Sequence, residues 1–180
     1  MSDLLIGLCG KKGSGKTYIA EHLRDNHDAK IIRFADTLKD MMRVMGFSEG
    51  QINGDLKEVA CDMLNGLSPR YAMQTLGTEW GRNLLHENIW VDMLIGKANR
   101  AKGTVVVDDV RFPNEVDSIR ESGGVLIWVE RDSIYEGGDS HSSETSIGAS
   151  YCDLLMDNTR DIATVCKTIE SWAQLQKKLN

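Results

Sequence analysis

Proline is nearly missing, with two residues in a chain of 180, which leaves little room for an extended hinge and points to one domain over 1–180. No apolar run approaches the roughly 18 residues that span a bilayer. The opening Met1-Ser2-Asp3 lacks the cationic stretch of a secretory signal, and Leu4 to Cys9 is too short for its apolar segment. Basic residues are outnumbered: the net charge of −6 argues against a broad basic face for nucleic-acid polymers, yet leaves room for a local cation cluster around a small anion. The four cysteines (Cys9, Cys61, Cys152, Cys166) show no C-x-x-C pair and no metal-ligand spacing. Reduced, partly buried thiols in a cytoplasmic protein without a zinc site are expected. Repeats and low-complexity tracts are lacking too.

What is present is a chain of ordinary globular composition, 41% apolar and 27% charged. Five short apolar runs predict strands: Leu4–Cys9, 30–34, 104–109, Val125–Glu130 and 153–156. Three are nearly continuous in apolar residues, which suits a sheet buried on both faces. Helical spacing predicts helices over 16–26, with Ile19, Ala20 and Leu23 on one side, over 37–45 and over 56–64. Ser68-Pro69 reads as a helix start, Pro113 opens a helix closed by Gly123-Gly124, and a last helix begins near Arg160. Strands alternating with helices imply a parallel sheet in a three-layer α/β domain. The stretch over 37–103 is expected to be a mostly helical insert that binds an acceptor.

Gly10-Lys11-Lys12-Gly13-Ser14-Gly15-Lys16-Thr17 fits G-x-x-x-x-G-K-[ST], the phosphate-binding loop pattern. Glycines at 10, 13 and 15 let successive N–H groups turn toward phosphate oxygens. Lys16 adds a mobile charge for the β- and γ-phosphates. Thr17 offers a hydroxyl to Mg²⁺ and begins a helix whose amino end favours anions. An apolar strand precedes the motif and an amphipathic helix follows, so a bound nucleotide triphosphate is expected, with Lys11 and Ser14 in the cradle.

Val105 to Val107 end in Asp108-Asp109 at the carboxyl end of a strand, where ligands of α/β sheets gather. A carboxylate there, Asp109, completes an ion site with Thr17 or belongs to a solvated turn. Arg111 either neutralises charge on a transferring phosphoryl group or pairs with Asp109 or Glu115. For the acceptor, a monophosphate is already an ionised nucleophile and needs cations rather than a base. Arg70, Gln74 and Arg82, near Trp80 and Trp90, supply cations, a base-edge reader and stacking surface. Both tryptophans read equally as core. Asp36 contacts the acceptor sugar, acts as a base, or caps the next helix, and Lys39 is a contact or a solvated lysine. Residues 131–146, rich in Gly and Ser, have the composition of a cover, with Arg131 reaching phosphates on closure. His141 and Glu144 read as an anchoring or a catalytic pair. Asp157-Asn158-Thr159 touches adenine through Asn158, or Thr159 caps the last helix.

Together these stretches resemble the deoxynucleoside monophosphate kinases encoded by bacteriophages. The likeness runs through 7–17, Phe34-Ala35-Asp36-Thr37-Leu38-Lys39, Gln74-Thr75-Leu76-Gly77-Thr78-Glu79 with Arg82, Asp109-Val110-Arg111-Phe112-Pro113-Asn114-Glu115, His141-x-x-Glu144 and 153–158. The resemblance implies the P-loop kinase fold with sheet order 2-3-1-4-5 and Mg²⁺-dependent transfer from ATP to a deoxynucleoside 5′-monophosphate. It also implies a homodimer in many members and a home in the host cytoplasm. Lys16, Asp109 and Arg111 would then serve the transfer, and Arg70, Gln74 and Arg82 the acceptor. A dephospho-coenzyme A kinase has a similar loop, sheet and size, and a nucleotide-dependent switch without an acceptor is the alternative of another class.

Overall fold

The computed structural model describes residues 3–131 and 147–179. The expected cover, with His141 and Glu144, therefore lies outside the described residues except for Arg131. The strands are β1 (Leu4–Cys9), β2 (Lys30–Ile31), β3 (Thr104–Val107), β4 (Val125–Glu130) and β5 (Leu154–Asp157). The helices are α1 (Lys16–His27), α2 (Asp36–Val44), α3 (Glu49–Ile52), α4 (Pro69–Thr75), α5 (Ile89–Arg100), α6 (Pro113–Glu121) and α7 (Ile162–Leu179).

Every residue of β1 is buried, as a continuous apolar run requires when a strand is covered on both faces. It lies at the centre of a five-stranded sheet ordered β2-β3-β1-β4-β5, with every pair parallel. Ile6 faces Val106 on one side and Val125 on the other. Alternate residues then serve opposite layers. Ile6 and Leu8 pack with Ile19 and Leu23 of α1 and Val165 and Ile169 of α7. Gly7 turns the other way, toward Ile119 of α6 and Leu126. This is the three-layer P-loop kinase architecture, in the expected order.

Three strands differ in their bounds from the sequence reading, and side-chain bonds account for it. β2 stops at Ile31, although the Ile32 N–H still donates to the Val106 carbonyl at 3.0 Å. Arg33 then leaves the ladder to grip Asp108, which itself ends β3. β5 starts one residue late because the Asp153 carboxylate accepts the Leu126 N–H at 2.8 Å.

The chain divides into two compact units, one of Met1–Arg33 with Leu94–Asn180 and the other of Phe34–Met93. The second overlaps the expected insert but ends ten residues sooner. Its core gathers Leu38, Met42, Phe47, Ile52, Met73 and Trp90. Ser68 caps α4 by accepting the Tyr71 N–H at 3.3 Å, with Pro69 in the first turn. After α4 the backbone widens to a π-helix over Leu76–Leu85. Gly81 is required there, because a Cβ would come within 2.5 Å of the Trp90 ring.

The helix expected over 56–64 does not form. Two 3-10 turns, Asp55–Glu58 and Asp62–Leu64, stand in its place, separated by extended backbone at Val59 and Cys61. Backbone bonds from Cys61 to Leu67 and from Gly66 back to Cys61 close a loop that replaces the helical bonds. Two apolar residues of that stretch, Val59 (52%) and Met63 (59%), are exposed. Met45, the last residue of the helix expected over 37–45, is exposed as well. Among the described residues no helix is long and apolar enough to cross a membrane.

Candidate active site

The phosphate loop fills the turn between β1 and α1. The Lys16 ammonium donates to the carbonyls of Gly10 (2.6 Å) and Lys11 (2.8 Å), so the charge sits over the loop's own backbone. Gly15 takes the cap position of α1 at φ 95°, a left-handed conformation that favours glycine. No side chain caps the helix and its first turn holds no acid, which leaves the helix amino end suited to an anion. Thr17 is exposed in that turn, while Ser14 is buried and Gly10, Lys11 and Gly13 line the outer loop.

Asn158, expected at adenine, is tied to the phosphate loop. Its side-chain Nδ2 donates to the Ser14 carbonyl at 2.8 Å, and its backbone N–H donates to the Glu130 carbonyl at 2.7 Å. A Cβ on Gly15 would meet that Nδ2 at 2.2 Å, so the second reason for glycine at this position is Asn158 itself. The neighbouring turn closes through Asp157, whose carboxylate accepts the Thr159 N–H and is held below the usual carboxylate range by Thr159. Thr159 is not the helix cap: α7 starts at Ile162, and Asp161 accepts the Thr164 N–H over its first turn.

The two acids after β3 part company. Asp108 is buried, and Arg33 binds both its oxygens at 2.6 and 2.8 Å. Asp109 is half-buried on the next residue, at the carboxyl end of the strand beside β1. Arg111 is exposed, and Glu115, buried at 2% exposure, accepts the N–H groups of Arg111 (2.7 Å) and Phe112 (3.1 Å) on Oε2. The pairing of Arg111 with Glu115 thus runs through the backbone and fixes the turn that carries the guanidinium. Arg131 is exposed just beyond β4. Among the described residues no three His, Cys, Asp or Glu gather as a metal-holding group. Cys9, next to the loop, has its thiol pushed well up by its hydrogen bond with Cys152 and by burial, and burial pushes Cys166 up to about 11.

The remaining candidates lie in the unit of Phe34–Met93. Arg70 and Gln74 are exposed on α4, with Arg70 Nε 3.1 Å from Glu58 Oε1. Arg82 is half-buried in the π-helix, and Lys39 is half-buried on α2. Asp36 is the first residue of α2, whose cap position is Ala35 without a side-chain bond, so Asp36 favours the helix dipole rather than capping it. Trp90 is buried, and its Nε1–H donates to the Gly77 carbonyl at 2.8 Å. That is a core tryptophan, whereas Trp80 is 38% exposed. The sequence reading missed Lys57. It is half-buried, and burial, then Arg70 and Lys39, lower its ammonium pKa. As part of a continuous helix, it would have read as a solvated lysine.

Parallel sheet, phosphate loop and capless helix define a P-loop kinase, and solved kinases share the fold. Shikimate kinase from Aquifex aeolicus vf5 superposes with a TM-score of 0.53 at 12% identity over 93% of this chain and 95% of that one. A gluconokinase from Sinorhizobium meliloti 1021 gives 0.51 at 14% identity over 98% and 95%. The deoxynucleotide monophosphate kinase family model matches residues 42–169. A protein of Acanthamoeba polyphaga mimivirus designated a deoxynucleotide monophosphate kinase is 36% identical over 98% of this chain and all of its own length. The deoxynucleoside-5′-monophosphate kinase of Escherichia phage T5 is 37% identical over 47% of this chain and 37% of its own. The chain belongs to the deoxynucleotide monophosphate kinase family and is a nucleotide kinase.

Proposed function

We propose that the chain moves the γ-phosphoryl group of ATP, with Mg²⁺, to a deoxynucleoside 5′-monophosphate, yielding ADP and the deoxynucleoside diphosphate. The observation that carries this reading is the phosphate loop with Lys16 over its carbonyls, joined to the family's acceptor class. The attacking group is a phosphate oxygen that is ionised near neutral pH, so no base is required. Catalysis then rests on positioning and charge. Loop amides and Lys16 hold the β- and γ-phosphates. Arg111, on the turn braced by Glu115, meets negative charge as it develops, and Arg131 adds a second guanidinium. Arg70, Arg82 and Lys39 hold the acceptor, with Gln74 on its base edge.

The residues suit Mg²⁺. The Thr17 hydroxyl and the Asp109 carboxylate are hard oxygen donors, and this ion takes few protein ligands when phosphates and water complete its shell. Asp108 is unsuited, since Arg33 binds both of its oxygens. When bound, the ion neutralises charge on the phosphates.

Initial rates with ATP, with and without Mg²⁺, across the four dNMPs, their ribose counterparts and dephospho-coenzyme A test the reading. Mg²⁺-dependent ADP formation driven by one or more dNMPs is expected. Faster ADP formation with dephospho-coenzyme A than with every dNMP overturns it, as does slow hydrolysis that no monophosphate alters.

A further inference from the structure

A charged pair closes the ends of β2 and β3. The Arg33 guanidinium donates from Nε to Asp108 Oδ1 at 2.6 Å and from Nη2 to Oδ2 at 2.8 Å, across 75 positions of sequence. The Asp108 side chain is 1% exposed and that of Arg33 is 31% exposed. Such a pair is a poor source of stability. Withdrawing two charges from water cancels most of what their attraction returns, and apolar residues of like volume often serve as well. The pair calls for a role besides stability.

The next residue is Asp109, the carboxylate proposed for the ion, and the pair holds the chain just before it. Just after it, Val110 is buried at 2% exposure, with Cγ2 3.3 Å from where a Cβ on Gly7 would lie. Glu115 then accepts the Arg111 N–H at 2.7 Å. Asp109 thus stands between held neighbours. Uncovered, Asp108 and Asp109 would put two carboxylates at the carboxyl end of one strand, and oxygen sites bind cations more tightly as their charged ligands increase. An ion gripped in that way would need no phosphate. Phosphoryl transfer needs the opposite, an ion that keeps positions for phosphate oxygens and bridges them. With Arg33 on both oxygens of Asp108, the count falls from two carboxylates to one.

We propose that Arg33 is a positioning residue: by covering both Asp108 oxygens it withholds one of two adjacent carboxylates from the cation, so that the ion enters with the nucleotide's phosphates and meets Asp109 as its one carboxylate. The ion's place at Asp109 rests on the function proposed above; the masking of Asp108 rests on the two bonds from Arg33.

The test uses the full chain, Arg33→Gln and the double variant Arg33→Gln/Asp108→Asn. Mn²⁺ is titrated without nucleotide and followed by the electron paramagnetic resonance of the free ion, alongside steady-state rates. Arg33→Gln uncovers a carboxylate and should bind Mn²⁺ at least about 10-fold more tightly than wild type, the gain of one charged ligand. The double variant also lacks the ion pair but has no second carboxylate, so its Mn²⁺ binding should return to that of wild type. A merely structural pair would leave the two variants alike. Turnover of Arg33→Gln should fall as Mg²⁺ is raised beyond ATP, and turnover of the double variant should not. Mn²⁺ binding in Arg33→Gln equal to that of wild type, with Mg²⁺-dependent transfer to a dNMP intact, overturns the masking role and leaves the proposed activity standing; so does a gain that persists in the double variant. If wild type phosphorylates no dNMP, the activity falls, and the nucleotide-free titrations alone decide the role of Arg33. Should Arg33→Gln fail to fold, Arg33→Lys must bind Mn²⁺ more tightly than wild type, since a single ammonium lacks the fork that covers both oxygens; equal binding overturns the inference.

Discussion

The unit that carries the phosphate loop and the unit of Phe34–Met93 are built on different terms. In the first, strands buried on both faces fix the backbone, and the functional groups are largely the backbone itself: loop amides, the Gly15 turn, and the Ser14 carbonyl held by Asn158. In the second, short helices, two 3-10 turns and a π-helix surround a small core, and the candidate acceptor groups are side chains that project from them. Large apolar side chains stand exposed here, Val44 at 89% and Leu84 at 76% among them. A triphosphate presents the same oxygens whichever base it bears, so a rigid backbone cradle suffices. An acceptor must be told from its relatives, and that work suits side chains, which can change without rebuilding a sheet.

The largest expected effect sharpens this contrast. Lys16→Ala should lower turnover about 10³-fold, because phosphoryl transfer is mainly electrostatic positioning, while the far-ultraviolet circular dichroism and Tm stay close to wild type. Turnover near that of wild type in this variant would remove Lys16 from the transfer. Gly81→Ala acts on the other unit and on stability: its Cβ would press on three Trp90 atoms within 2.9 Å, costing about 1–3 kcal/mol by overpacking. Hydrogen exchange should quicken across Phe34–Met93 first, and uniform quickening over both units would break the comparison. Smallest is Asn158→Ala, which takes a donor from the Ser14 carbonyl and should cost about 1–2 kcal/mol. Its signature is a raised KM for ATP with the acceptor KM unchanged; the reverse split would assign Asn158 to the acceptor.

What could be read from the sequence follows the same division. The continuous apolar runs at Leu4–Cys9 and Val125–Glu130 matched the strands to the residue, and Gly10 to Thr17 reads as a loop because its chemistry depends on local backbone. The 56–64 stretch misled because its apolar spacing is helical, whereas the loop that Cys61 closes with Leu67 is a tertiary outcome. The half-burial of Lys57 was hidden by that error. The bond of Asn158 to Ser14 could not be read, since a polar turn residue carries no mark of a partner 144 positions away. Asp108 and Asp109 are equivalent in sequence, and the distant Arg33 separates them. Trp90 read as core or contact until Gly77 and Gly81 were found against it.

The bond between Asn158 and Ser14 also sets an order in time. Residues 10–17 are made before either neighbour of β1, which must wait for Thr104–Val107 and Val125–Glu130 to pair on its two sides, and non-local pairing of this kind forms slowly. The clasp on the cradle arrives later still, with residue 158. A half-made chain therefore carries the loop without its clasp, and a product truncated before that asparagine would keep the glycines of 10–17 but not the bond that holds the Ser14 carbonyl.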